Sequence, residues 1–169
     1  KAGSLGQEVI LIDKNPILGK KLLLSGKGRC NLTNAGDLEQ FLKRFSHNGQ
    51  FLRDAFRKFF NQELMDFFQS RGLSLKVERQ LRVFPVTDSS GSIVGVLDKE
   101  LAQQKVKSIF KSEVKDILIK DGQVKGLYLA NAEFIPCDKI ILATGGATYS
   151  FTGSTGEGLK MAQSSGHSI

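Results

Sequence analysis

An α/β fold, with a parallel sheet joined to a three-stranded antiparallel meander, is what this chain predicts, and three observations carry the prediction. A short apolar run at residues 8–13 (Glu8, Val9, Ile10, Leu11, Ile12, Asp13) has the character of a strand buried on both faces of a parallel sheet, and it ends in a carboxylate. A second such run, residues 139–144, opens directly into Gly145 and Gly146. Between them, residues 113–120, 123–129 and 133–137 form three strand-like pieces, the first two joined at Asp121-Gly122, a strong hairpin signal.

Length and composition bound the rest. The 169 residues suit one domain spanning 1–169 with a real hydrophobic core, and 40% hydrophobic residues without low-complexity tracts argue against disorder. No run approaches the roughly 18 apolar residues of a membrane span, and no leader pattern opens the chain, so no membrane partner and a cytoplasmic location are expected. The net charge of +7 is spread along the sequence, without aromatic-interleaved basic motifs or zinc-finger spacing. A solvated surface with local phosphate sites is therefore expected, and no nucleic-acid partner. Cys30 and Cys137 form no CxxC, which fits a reducing compartment and speaks against a disulfide scaffold or metal site.

In chain order, residues 1–6 read as the frayed end of a helix closed by Gly6, ahead of the first strand. Residues 14–24 read as a basic loop, turned by Asn15-Pro16 and Gly19, that rises through three leucines into a glycine loop. Between Phe41 and Gly72, phenylalanines at helical spacing (Phe51, Phe56, Phe59, Phe60, Phe67, Phe68) predict two amphipathic helices, broken near Asn61, with the aromatic stripe as core. Residues 73–78 alternate as an edge-type strand, and Val83, Phe84, Pro85 and Val86 follow as another. Ser89 or Ser90 is placed to cap a helix carrying Ile93, Val94, Leu97 and Leu101. After the meander and the second apolar strand, glycines at 153, 156 and 158 feed a closing helix that ends near Gly166, with main-chain N–H groups disposed to receive an anion.

The residues that carry chemistry fall at loops and strand ends. Ser25, Gly26, Lys27, Gly28, Arg29, Cys30 and Asn31 read as a phosphate or cofactor cradle. Small residues admit close approach, two cations supply charge, and Asn31 and the main chain supply donors. Asp13 stands where a ligand sits in an open parallel sheet, beyond a strand's carboxyl end, and is placed to accept from the hydroxyls of an adenosine ribose. Thr144, Gly145 and Gly146 occupy the equivalent end of the second strand. The plain alternatives are a solvated aspartate and an ordinary turn, and the two signals together favour the ligand reading. Cys30 is better read as a packed or cofactor-contacting thiol than as a nucleophile, because His47 and His167, the only histidines, offer no evident base. Tyr149 and Ser150 lie near the second strand end, where packing is the commoner role. No GxSxG elbow is present, so a serine hydrolase is poorly supported.

These motifs occur in one order: residues 9–13, the run 19–34, Phe84-Pro85-Val86, residues 143–146 and residues 152–156. That set resembles the bacterial flavoproteins described as NAD(P)/FAD-dependent oxidoreductases of the aminoacetone oxidase or BaiN-like family. The resemblance implies a glutathione-reductase-type, Rossmann-like FAD-binding domain portion with its meander at about 113–137. Asp13 would hold the ribose, Lys14 would be a further cofactor contact, and the loop containing Lys20, Lys21, Ser25, Gly26, Gly28, Arg29, Cys30 and Asn31 would line the pyrophosphate and flavin. The main chain near Val114 would meet adenine, while Ala143, Thr144, Gly145 and Gly146 would cover the dinucleotide. The implied chemistry is hydride transfer between FAD and a small organic substrate, with NAD(P)H as a candidate donor; no catalytic residue is named.

The resembling proteins begin with a strand and a G-x-G-x-x-G turn and carry an inserted substrate domain. Both are absent from this sequence, so it reads as an internal fragment. Two rivals follow. A catalytically inactive folded fragment that binds nucleotide or a partner chain predicts self-association through an incomplete sheet edge. A basic nucleic-acid module predicts binding that weakens steeply with salt.

Overall fold

Ile10, Leu11 and Ile12 extend as β1 (Ile10–Ile12), which pairs in parallel with β5 (Lys107–Ile109), Ile12 lying opposite Ile109. The computed structural model describes residues 1–169, the side chain of Ser46 excepted. The chain divides into two compact units, one made of Lys1–Lys21 with Leu101–Ile169 and the other of Leu22–Glu100.

The first unit opens with a 3₁₀ turn (Gly3–Leu5) closed by Gly6 at φ 79°, the expected glycine stop. Besides the β1 and β5 pair it holds the antiparallel meander of β6 (Val114–Lys120), β7 (Gln123–Leu129) and β8 (Phe134–Pro136). Asp121 and Gly122 both have positive φ, 54° and 71°, the two-residue hairpin turn whose twist matches the flanking strands. Leu127, Leu129 and Ile135 form its buried core, against which Ile10, Ile12, Ile109, Val114 and Ile140 pack. Helix α6 (Glu157–Ser164) follows Gly156.

The second unit carries the antiparallel sheet β2 (Thr33–Asn34), β4 (Arg82–Pro85) and β3 (Leu75–Val77), with β4 in the middle. It also holds α2 (Leu38–Lys43), α3 (Arg53–Lys58), α4 (Asn61–Gln69) and all but the last three residues of α5 (Ser90–Gln103). Cys30, Phe68, Leu73 and Ile93 are the buried centre of one cluster, and Val83 and Phe84 on β4 are almost wholly enclosed.

Several expectations are corrected. The apolar run 139–144 is not a strand: it has no ladder partner among the described residues, and Ile141 is 82% exposed. A continuous apolar run becomes a buried strand only where neighbours take up its N–H and C=O groups. Residues 20–24, expected as loop, form a short helix, α1 (Lys20–Leu24). The aromatic stretch is broken more finely than two helices, with a 3₁₀ segment (Ser46–Leu52) between α2 and α3. This break shifts the helical phase, so Phe51 is 88% exposed, whereas Phe41 packs edge-on against Phe60 at 4.8 Å and Phe68 is buried. Ser90 begins its helix, but its hydroxyl donates to the Leu23 carbonyl instead of capping.

Candidate functional site

The site residues named by sequence divide between the two units. In the first, β1 delivers Asp13 to a strand tip, where its main-chain N–H donates to the Ile109 carbonyl at 2.9 Å. Its Oδ1 accepts from both the main-chain N–H and the side-chain amide of Asn15, at 2.8 and 2.9 Å, the short-range closure expected of an aspartate turn. That leaves Oδ2 without a protein donor among the described residues. Lys14 turns to the closing segment instead: its Nζ donates to Thr155 Oγ1 and Glu157 Oε2, each at 2.6 Å. The bond from Lys14 holds the Glu157 carboxyl below the usual carboxylate range. Lys21 donates to Ser154 Oγ at 3.0 Å and more weakly to the Thr148 carbonyl.

The end of the 139–144 run lies beside the same segment. A Cβ placed on Gly158 would collide with the Thr144 side chain, and one placed on Gly145 would come within 3.5 Å of Ser154 Oγ. Ala143, Thr144, Gly145 and Gly146 are all exposed, so their main chain is open to a ligand although no strand forms. Asp13, Lys14, Lys21 and residues 144–157 therefore belong to one neighbourhood of the first unit. Lys20 is half-buried on α1, and Val114, which opens β6 opposite Leu129, belongs to the meander.

In the second unit, residues 25–28 form a tight turn in which Gly26 and Lys27 are left-handed, at φ 56° and 57°. Cys30 is left-handed too, at φ 60°. The loop closes on itself: Arg29 N–H donates to the Gly26 carbonyl and Cys30 N–H to the Ser25 carbonyl at 3.0 Å. Gly26 is required here. A Cβ would lie 2.8 Å from the Asn31 nitrogen and 3.4 Å from the Phe84 ring. A Cβ on Gly28 would meet nothing within 4 Å, so this main chain faces open space.

Two side chains of the loop are engaged within the protein. Cys30 is 2% exposed in the apolar cluster, the packed alternative for that thiol, so only its main chain is available. Arg29 is bidentate to Glu78, at 2.9 and 3.3 Å, reaches Asp88 at 3.2 Å, and lies 4.1 Å over the Phe84 ring. Its bonds to Glu78 raise its proton affinity further and hold the Glu78 carboxyl low. Lys76 completes the group at 2.7 Å from Asp88 and depresses that carboxyl in turn. Sequence reasoning named none of Asn15, Ser154, Glu157, Glu78 or Asp88 as a site residue. Each is an ordinary polar residue far in sequence from, or unmarked beside, its partner, and only the glycine-rich segment that holds Ser154 and Glu157 hinted at two of them. Among the described residues, no three His, Cys, Asp or Glu side chains gather as metal ligands. No helix is long and apolar enough to cross a membrane.

Comparison with known proteins gives a consistent set. The family model described as the HI0933-like protein Rossmann domain matches residues 1–169. The chain is 34% identical over 164 residues to the 3-dehydro-bile acid delta(4,6)-reductase of Clostridium scindens, covering 96% of this chain and 38% of that protein. It is 32% identical over 168 residues to the Ribosomal RNA dihydrouridine synthase of Escherichia coli, covering 99% of this chain and 41% of that protein. The chain thus spans about two fifths of the length of these curated relatives. Among solved structures, the open conformation of a flavocytochrome c3 fumarate reductase superposes with a TM-score of 0.69 at 22% identity, over 99% of this chain and 37% of that one, a likeness of fold. The sequence-based exclusion of nucleic acid does not extend to the relative named for ribosomal RNA.

Proposed function

The chain belongs to the HI0933-like Rossmann-domain family, and from that premise we propose that it is the FAD-binding portion of a flavin-dependent oxidoreductase. The observation that carries this reading is Asp13 at the carboxyl end of β1, one carboxylate oxygen fixed by Asn15 and the other without a protein donor among the described residues. The open main chain at Gly28 and Gly146 fits a group that approaches the backbone closely.

On this reading Asp13 accepts from the adenosine ribose, Lys14 is a further cofactor contact though paired with Glu157, and Lys20 and Lys21 belong to the loop that lines the pyrophosphate. Ser25, Gly26, Gly28 and Asn31, with the main chain of Arg29 and Cys30, line the pyrophosphate and flavin. The Val114 main chain meets adenine, and Ala143, Thr144, Gly145 and Gly146 cover the dinucleotide. FAD supplies the hydride chemistry when bound, while these residues bind and orient it. A cytoplasmic enzyme with NAD(P)H as donor and a small organic acceptor completes the proposal, supported over an inactive fragment by a relative named as a reductase.

A second reading keeps the cofactor site and takes RNA as the acceptor. The relative named as a Ribosomal RNA dihydrouridine synthase favours it. RNA affinity that falls steeply with added salt would distinguish it, and its absence would remove it.

The test of the main reading is a visible absorbance spectrum of the purified chain with added FAD, followed by gel filtration. Flavin travelling with the protein is the expected result. A folded, colourless protein whose flavin elutes separately would overturn FAD binding by this chain.

A further inference from the structure

Arg29 sits in the glycine loop, where a cation invites the role of phosphate ligand, yet both terminal nitrogens of its guanidinium and one of its faces are already engaged within the protein. Glu78 takes both arms of the fork, Asp88 takes a further bond, and the flat face lies on Phe84, which is itself 2% exposed. Planar bidentate pairing together with ring stacking is the geometry that arginine offers and lysine does not. The same Phe84 ring is a neighbour of Gly26, and the two main-chain bonds that close the loop end at Arg29 and Cys30. Four of the five residues 26–30 have positive φ, Gly26, Lys27, Gly28 and Cys30, a conformation that the two non-glycine residues keep only when surroundings impose it.

We infer that Arg29 is a positioning residue, not a cofactor ligand: the Glu78, Asp88 and Phe84 clamp on its guanidinium holds the loop of residues 25–31 in its left-handed form, and the main chain so arranged is what meets the cofactor phosphates. The inference rests on the FAD reading for its second half and on the ligand-free geometry for its first. Glu78 is then part of the cofactor site without touching cofactor.

Glu78→Gln separates the two roles by sign. If Arg29 bound phosphate directly, removing the competing carboxylate would free its charge and tighten FAD binding. As a clamp, its loss loosens the loop and weakens FAD. Hydrogen exchange at the Arg29 and Cys30 amides of the ligand-free chain is the first readout, expected to quicken about two- to fivefold, the size that a partly exposed charged pair supplies. Arg29→Lys, which keeps the charge and loses the fork and the stacking, should quicken it as well. Unchanged exchange in both variants overturns the clamp. FAD titrated into wild type and Glu78→Gln is the second readout, with weaker binding expected by a similar factor. Tighter binding overturns the inference, and unchanged binding with faster exchange overturns the link to the cofactor. If wild type takes up no FAD, the reading in the preceding section fails while the exchange rates still decide the clamp.

Discussion

The carboxylate of Asp13 does two jobs with two oxygens, and they can be separated by one isosteric substitution. Oδ1 closes the turn through Asn15. In Asp13→Asn the amide oxygen can still accept both of those bonds, so the turn persists. The other position becomes an NH₂ donor and no longer accepts from a hydroxyl. FAD affinity is therefore expected to fall by about tenfold or more, the scale of hydrogen bonds to a charged acceptor. The melting temperature should barely move, because the substitution keeps the shape of the side chain and the turn's two hydrogen bonds. Calorimetric titration with FAD beside a thermal melt checks both halves. Equal affinity in the two proteins would take Asp13 out of the ribose site. Sequence alone could place Asp13, since an acid at the end of an apolar run is a local pattern. It could not assign Arg29, whose role depends on Glu78 and Asp88, 49 and 59 residues away.

The elements divide along the same line between local and distant causes. The meander was legible because each strand is bounded by its own turn and the hairpin pairs neighbours in sequence. Strand β5, only three residues long, carries no alternation to read, and β1 selects it through parallel pairing across almost a hundred residues. The run 139–144 failed in the opposite sense, being apolar enough for a buried strand but unpaired among the described residues. What sequence also concealed in the meander is a steric requirement. Gly126 on β7 is buried at φ 154°, between two register shifts of the β6 and β7 ladder, and a Cβ there would stand 2.5 Å from the Ile135 carbonyl oxygen. Gly126→Ala should destabilise the chain by about 1–3 kcal/mol, since a backbone oxygen cannot swing away as a side chain can. Gly95→Ala, in the interior of α5 with nothing within 4 Å of its Cβ, should instead be neutral or stabilising by up to about 1 kcal/mol. Urea unfolding of the two variants tests the contrast, and equal midpoints would contradict it.

At the scale of the whole molecule, charge sets the conditions under which either unit keeps its fold. The chain carries 24 Lys and Arg against 17 Asp and Glu, so its carboxylates both neutralise the excess and anchor cations. Those with displaced titration are displaced one way. Glu78 is held low by Arg29, Asp88 by Lys76, Glu39 by Arg53, Glu157 by Lys14, and Glu63 by main-chain N–H groups at the start of α4. A carboxyl whose folded-state pKa is depressed adds stability that is complete above its unfolded value and is lost as pH falls through its folded value. The melting temperature is therefore expected to hold level from pH 7 to about 5 and to fall below the usual carboxylate range near pH 4. There the net charge climbs from +7 toward the full complement of 24 Lys and Arg with 2 His. As the ion pairs are lost in that acid arm, added salt acts mainly by screening repulsion among cations, and it should raise the melting temperature there. Thermal melts across this pH range at low and high salt provide the measurement. A decline already under way between pH 7 and 6 would assign the loss to groups other than these carboxylates, and salt that lowers the melting temperature at pH 3 would mean that the pairs survive protonating conditions.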